Sequence, residues 1–198
     1  MSNGLYDLAK FLCRTLFTVW RMRVYGAQNV PRDGPLIVAC NHVSYFDPPV
    51  LGTACPRRIR YMAKRELFTI PILGPLIARL GAYPVDRTGS PMSAIRRSVE
   101  MLRRGDAIGV FPEGTRNLDG TVQAREGVAL LASLGQAPVV PAVVLGTRQA
   151  GRLRRFKVIF GPPMRLPGNG KAGREMLANF TEQVMHAIVK LPETIGGD

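Results

Sequence analysis

The chain has 198 residues, 46% hydrophobic and 21% charged, an ordinary globular balance with enough length for one sizeable core. Lys plus Arg number 27 against 14 Asp plus Glu, and the net charge of +13 favours anionic partners: nucleic acid, an acidic membrane surface or phosphorylated small molecules. Three cysteines without regular spacing and only two histidines weigh against a disulfide framework or a structural zinc site, and fit a reducing compartment.

Residues 5–21 read as a helix. Asp7, Lys10, Arg14, Thr18 and Arg21 recur at three- and four-residue intervals and form one narrow polar stripe, while Leu5, Leu8, Phe11, Leu12, Leu16, Phe17, Val19 and Trp20 make a wide apolar face. Two readings fit: a helix lying in a membrane interface, or an amphipathic helix docked on the domain's own core. The charges within this stretch and the lack of a small-residue cleavage site speak against a secretory signal. No window reaches the ~18 uninterrupted apolar residues of a spanning helix.

After the turn-rich "GAQNVPRDGP", short apolar runs alternate with helix-spaced segments. Strands are predicted over 36–40, 59–63, 82–85, 107–111, 138–146 and 156–161, and helices over 91–104, 126–134 and 172–190. Continuous apolar strands between helices predict an α/β fold with a mainly parallel central sheet covered by helices on both faces. The domain organisation predicted is an amphipathic helix over 1–23 and one domain over 24–198. The apolar stretch 66–87 is broken by Pro71, Gly74 and Pro75, so it is not one long helix. It reads either as a buried connection or as an apolar wall for a lipid chain.

Two motifs mislead. "GNGKAG" at 168–173 matches a dinucleotide-binding pattern, but Pro167 rather than a strand precedes it and too little chain follows for a βαβ unit. There is no G-x-S-x-G elbow, and Ser44 in a polar turn reads as a turn former.

"NHVSYFDPP" directly follows the apolar run 36–40, and ligands of parallel sheets bind just beyond the carboxyl ends of strands. His42 and Asp47 would stand about 140° apart on a straight helix. They meet only if the chain turns first, and Asp47-Pro48-Pro49 suits such a break, with Asp47 as N-cap and proline in the first turn. An aspartate on Nδ1–H leaves Nε2 free to accept a proton. A capped helix start with a half-buried histidine is the plainer alternative. "FPEGTR" at 111–116 follows another strand and offers a carboxylate, a glycine, a hydroxyl and a guanidinium suited to phosphate. "PVDR" places Arg87 at a third strand end.

The ordered series "NHVSYFD", "GAYPVDR", "FPEGTR" and "VPAVV" resembles the glycerolipid acyltransferases, in particular the 1-acyl-sn-glycerol-3-phosphate acyltransferases, over roughly residues 24–162. The first and third blocks are specific, especially together. The resemblance implies transfer of a fatty acyl group from acyl-CoA or acyl carrier protein to the free sn-2 hydroxyl of a lysophospholipid, with no cofactor beyond the co-substrate. It implies His42 as base and Asp47 as its orienting carboxylate. Arg87, Glu113, Gly114, Thr115 and Arg116 would bind the glycerol phosphate. Many relatives carry an aromatic and a lysine after the third block. Ala124 and Arg125 stand there instead, and Arg125 retains a phosphate-neutralising charge with different geometry. The first helix then reads as a membrane dock, the 66–80 stretch as an acyl-chain wall, and the location as peripheral on the cytoplasmic face of the cell membrane. The charge then fits an anionic membrane surface and phosphorylated substrates. A nucleic-acid partner is disfavoured because no aromatic-and-basic strand signature or zinc finger accompanies it.

Overall fold

Each predicted apolar run becomes a strand of one seven-stranded sheet. In the computed structural model, which describes residues 3–85, 91–118, 124, 126–168 and 172–195, the strands are β1 (Arg23–Tyr25), β2 (Leu36–Cys40), β3 (Ile59–Lys64), β4 (Tyr83–Val85), β5 (Ala107–Val110), β6 (Val139–Leu145) and β7 (Lys157–Phe160). Their order is β1-β7-β6-β2-β5-β3-β4. The strands β6, β2, β5, β3 and β4 run parallel, whereas β7 is antiparallel to β6 and β1 is parallel to β7. The strand β1 has no apolar run to announce it. Its three residues gain strand geometry from pairing with β7, Val24 opposite Val158.

All five residues of β2 are buried, because it has a neighbour on each side and a layer of helices on each face. Ile37 and Ala39 point into one core with Val99 and Leu102 of α4 (Pro91–Arg103), Val128 and Leu131 of α5 (Gly127–Gly135), and Phe180 and Val184 of α6 (Arg174–Lys190). Leu36, Val38 and Cys40 point into the other, with Phe17, Val30, and Val50 and Leu51 of α2 (Asp47–Ala54). The first helix, α1 (Asn3–Leu16), lies against α2.

The predicted helix over 5–21 therefore stops early. Beyond Leu16 the chain tightens into turns, and Phe17, 2% exposed, packs edge-on against Trp20 and Phe156. The side of α1 that meets the domain carries Tyr6, Lys10 and Cys13: the Tyr6 hydroxyl accepts the Ile59 N–H at 3.3 Å and Lys10 Nζ donates to the Cys55 carbonyl, whereas Asp7 and Arg14 of the predicted polar stripe are exposed. The outward side carries Leu8, Phe11, Leu12 and Leu16, each more than half exposed, followed by the equally exposed Val19. No helix among the described residues is long and apolar enough to cross a membrane.

Of the 66–87 stretch, residues 66–85 are described, and its 70–76 part is not a buried connection. A 3-10 turn (Arg65–Phe68) leads into α3 (Leu73–Arg79), and Ile70, Ile72, Leu73 and Leu76 are exposed. Gly74 is required there, since a Cβ would lie 2.1 Å from the Phe68 carbonyl oxygen.

Candidate active site

The exit of β2 is fixed by Asn41. Its side-chain amide accepts the Val144 N–H at 2.8 Å and donates to the Val144 carbonyl at 3.1 Å, continuing the β2–β6 ladder by one side-chain step. His42 then leaves the sheet with both backbone groups engaged: its N–H donates to Glu113 Oε2 at 2.8 Å, and its carbonyl accepts the Asn117 N–H at 2.7 Å. The imidazole stacks on Phe111 with centroids 4.2 Å apart. Its main chain and its ring face are thus held before its ring nitrogens do anything.

The chain turns at 43–46, and Asp47 returns to the histidine. His42 Nδ1 lies 3.0 Å from Asp47 Oδ2, which also accepts the N–H groups of Val43 and Ser44, each at 2.7 Å. Asp47 Oδ1 accepts the Thr147 hydroxyl at 2.6 Å. A fully buried carboxylate is tolerable only with such a complete set of donors. Because a carboxylate only accepts, it assigns the proton to Nδ1 and the lone pair of the neutral ring to Nε2. The predicted N-cap is displaced by one residue. Phe46 occupies that position, Asp47 opens α2 with proline in its first turn, and the carboxylate is spent on the preceding loop instead of its own helix's amides. Ser44 is a turn former: its Oγ accepts the Phe46 N–H at 3.2 Å.

The third block reaches the same edge from β5. Phe111 to Gly114 is a tight turn closed by Gly114 N–H to the Phe111 carbonyl at 2.9 Å, with Gly114 at φ 69°. Glu113 faces inward and is 5% exposed, accepting His42 N–H on one oxygen and Asn117 Nδ2 at 3.2 Å on the other. Burial pushes its carboxyl above the ordinary range, opposed by those two hydrogen bonds. Thr115 is exposed, and the half-buried Arg116 stacks its guanidinium 3.8 Å above the exposed ring of Tyr45, in the turn between His42 and Asp47. His42, Asp47, Glu113 and Arg116 are thus brought together through these contacts. Arg87 and Arg125 lie outside the described residues. Among the described residues no three His, Cys, Asp or Glu side chains converge as metal ligands.

Thr147, Asn117 and Tyr45 were not singled out from the sequence. A signal for Thr147 was present: it follows β6, whose end must open on the same edge as β2 because the two are parallel. Gly146 turns the chain there at φ 86°, and a Cβ would lie 2.3 Å from the Arg155 carbonyl oxygen.

Comparison with known proteins identifies the family. The Acyltransferase family model matches residues 21–145. A 1-acyl-sn-glycerol-3-phosphate acyltransferase of Bacillus subtilis (strain 168) is 32% identical over 191 residues, covering 92% of this chain and 96% of its own length. The human 1-acyl-sn-glycerol-3-phosphate acyltransferase alpha is 34% identical over 128 residues, 63% of this chain and 45% of its own. The crystal structure of the 1-acyl-sn-glycerophosphate acyltransferase PlsC from Thermotoga maritima superposes with a TM-score of 0.77 at 26% identity, over 98% of this chain and 80% of that one. A match of this extent, on a sheet whose edge assembles the His42–Asp47 pair, establishes that the chain belongs to the acyltransferase family.

Proposed function

We propose that the protein transfers a fatty acyl group from acyl-CoA or acyl carrier protein to the free sn-2 hydroxyl of 1-acyl-glycerol-3-phosphate, giving phosphatidic acid for phospholipid synthesis. The observation that carries this is the His42 Nδ1–Asp47 Oδ2 contact of 3.0 Å, with the carboxylate buried and fully bonded and Arg116 nearby.

An alcohol is a weak nucleophile toward a thioester until a base takes its proton. In the proposed reaction His42 Nε2 accepts the hydroxyl proton as the acceptor oxygen attacks the thioester carbonyl. A C–O bond forms, the C–S bond breaks as the tetrahedral species collapses, and the imidazolium returns the proton to the departing thiolate. Asp47 stabilises the imidazolium and fixes its tautomer. Arg116 binds the acceptor phosphate, with Arg87 and Arg125 as further cations, and Gly114 and Thr115 contribute to the same cradle. Glu113 acts here as the brace that joins the His42 loop to the third block. Both of its oxygens are occupied, and a carboxylate would repel phosphate. The exposed apolar side chains of α1 dock the enzyme on an anionic membrane surface at its cytoplasmic face, and the exposed 70–76 segment contributes apolar wall to the acyl chain.

Labelled acyl donor and lysophosphatidic acid test the reading. His42→Ala is expected to lower kcat by roughly 10²–10⁴-fold with folding retained. Arg116→Ala is expected to raise KM for the phosphorylated acceptor. A His42→Ala enzyme as fast as wild type would overturn the mechanism, and an unchanged KM in Arg116→Ala would remove the phosphate role.

A further inference from the structure

A groove beside α1 is lined by Arg14, Thr18 and Arg21 together with Phe17, Met22 and Val24, and by the end of α2. We propose that this groove holds the phosphate and first acyl carbons of an anionic phospholipid, as a site separate from the reaction centre.

Its volume of about 540 Å³ suits a headgroup and a few methylenes. Its charge is unbalanced: two guanidinium groups line it and no carboxylate does. An anion complements such a lining, and a phosphate diester can pair bidentately with a guanidinium. The apolar part of the lining selects an amphiphile over free phosphate, because Met22 and Val24 give an ion nothing and give methylenes a contact surface. Arg21 sits in the turn that follows α1, in the left-handed region at φ 46°, with Met22 N–H bonded to the Phe17 carbonyl at 3.3 Å. The outward side chains Leu8, Phe11, Leu12 and Leu16 lie on the same helix. With that face in the interface, Arg14 and Arg21 flank it at headgroup depth. This orientation rests on the membrane-docking reading above, whereas the groove itself does not.

The test uses the full chain and dihexanoyl-phosphatidylglycerol below its micelle-forming concentration, followed by titration calorimetry. Saturable binding is expected, at least tenfold weaker in Arg14→Gln/Arg21→Gln. It should be unchanged in the equally discharged Arg103→Gln/Arg104→Gln at the far end of α4. Absence of saturable binding, or equal weakening in both double variants, would overturn the proposal. Thermal unfolding confirms that each variant is folded. Flotation of wild type and Leu8→Ser/Phe11→Ser with mixed phosphatidylcholine and phosphatidylglycerol vesicles separately tests docking. If wild type fails to float yet binds the short-chain lipid, the docking reading falls and the groove stands.

Discussion

Replacing Asp47 with asparagine separates the chemical role of the carboxylate from its structural one. Oδ2 accepts three donors, His42 Nδ1–H and the N–H groups of Val43 and Ser44, whereas Oδ1 accepts only the Thr147 hydroxyl. An asparagine therefore places its oxygen at the Oδ2 position and its NH2 toward Thr147, whose hydroxyl rotates to accept. Every contact survives, one with its direction reversed. The three retained bonds lose charge assistance, about 1 kcal/mol each. Against this, the cost of burying a carboxylate disappears, several kcal/mol in the opposite direction. The net change in stability is expected to stay within about 2 kcal/mol. The rate has no such compensation, since a neutral amide does not stabilise the imidazolium, and kcat is expected to fall roughly 10²–10⁴-fold. Steady-state assays with labelled acyl donor, beside urea unfolding, measure both. Asp47→Ala is the less informative variant: it strands buried donors at about 1–3 kcal/mol each, a large part of a domain's total stability. An Asp47→Asn enzyme that unfolds readily, or retains near wild-type kcat, would refute the reasoning.

Thr147→Val keeps shape but removes the donor to Asp47 Oδ1, and is expected to lower kcat about tenfold at unchanged KM, with Thr147→Ser near wild type. Equal loss in both variants would point to packing instead. Glu113→Gln retains an acceptor for the His42 N–H and meets Asn117 after an amide flip, so stability should change by no more than about 2 kcal/mol with KM for the lyso-lipid unaltered. A many-fold rise in KM at constant stability would restore Glu113 as a substrate ligand. Burial pushes the Tyr83 hydroxyl, bonded to Ser98, from 10.0 up to about 12. The folded chain then holds that proton where the unfolded chain releases it. Its contribution, about 2–3 kcal/mol, is fully present below pH 10 and lost as pH rises through 12. Denaturant titrations across that window should show a shallower decline in Tyr83→Phe, and an identical decline would remove Tyr83 as a cause.

The strands other than β1, and the helices α4, α5 and α6, were legible because an apolar run or a 3.6-residue spacing is written locally in the chain. His42 and Asp47 were legible for the same reason: a turn followed by prolines confines their meeting to six consecutive residues. Arg87 and Arg125 remain expectations of the sequence alone. Local pattern does not reach what the sheet order decides. His42 N–H meets Glu113 71 residues away, and Asp47 meets Thr147 100 residues away, only because β5 and β6 flank β2 and end at the same edge. That pairing turned Glu113 inward onto the His42 N–H and supplied Asp47 with a donor from beyond the four blocks. Periodicity likewise found the two faces of α1 but not which one meets the protein. The side bearing Tyr6, Lys10 and Cys13 meets it, leaving Leu8, Phe11, Leu12 and Leu16 outside together with Asp7 and Arg14. An amphipathic pattern specifies that a helix has two faces, and only the partner it packs against specifies which of them is buried.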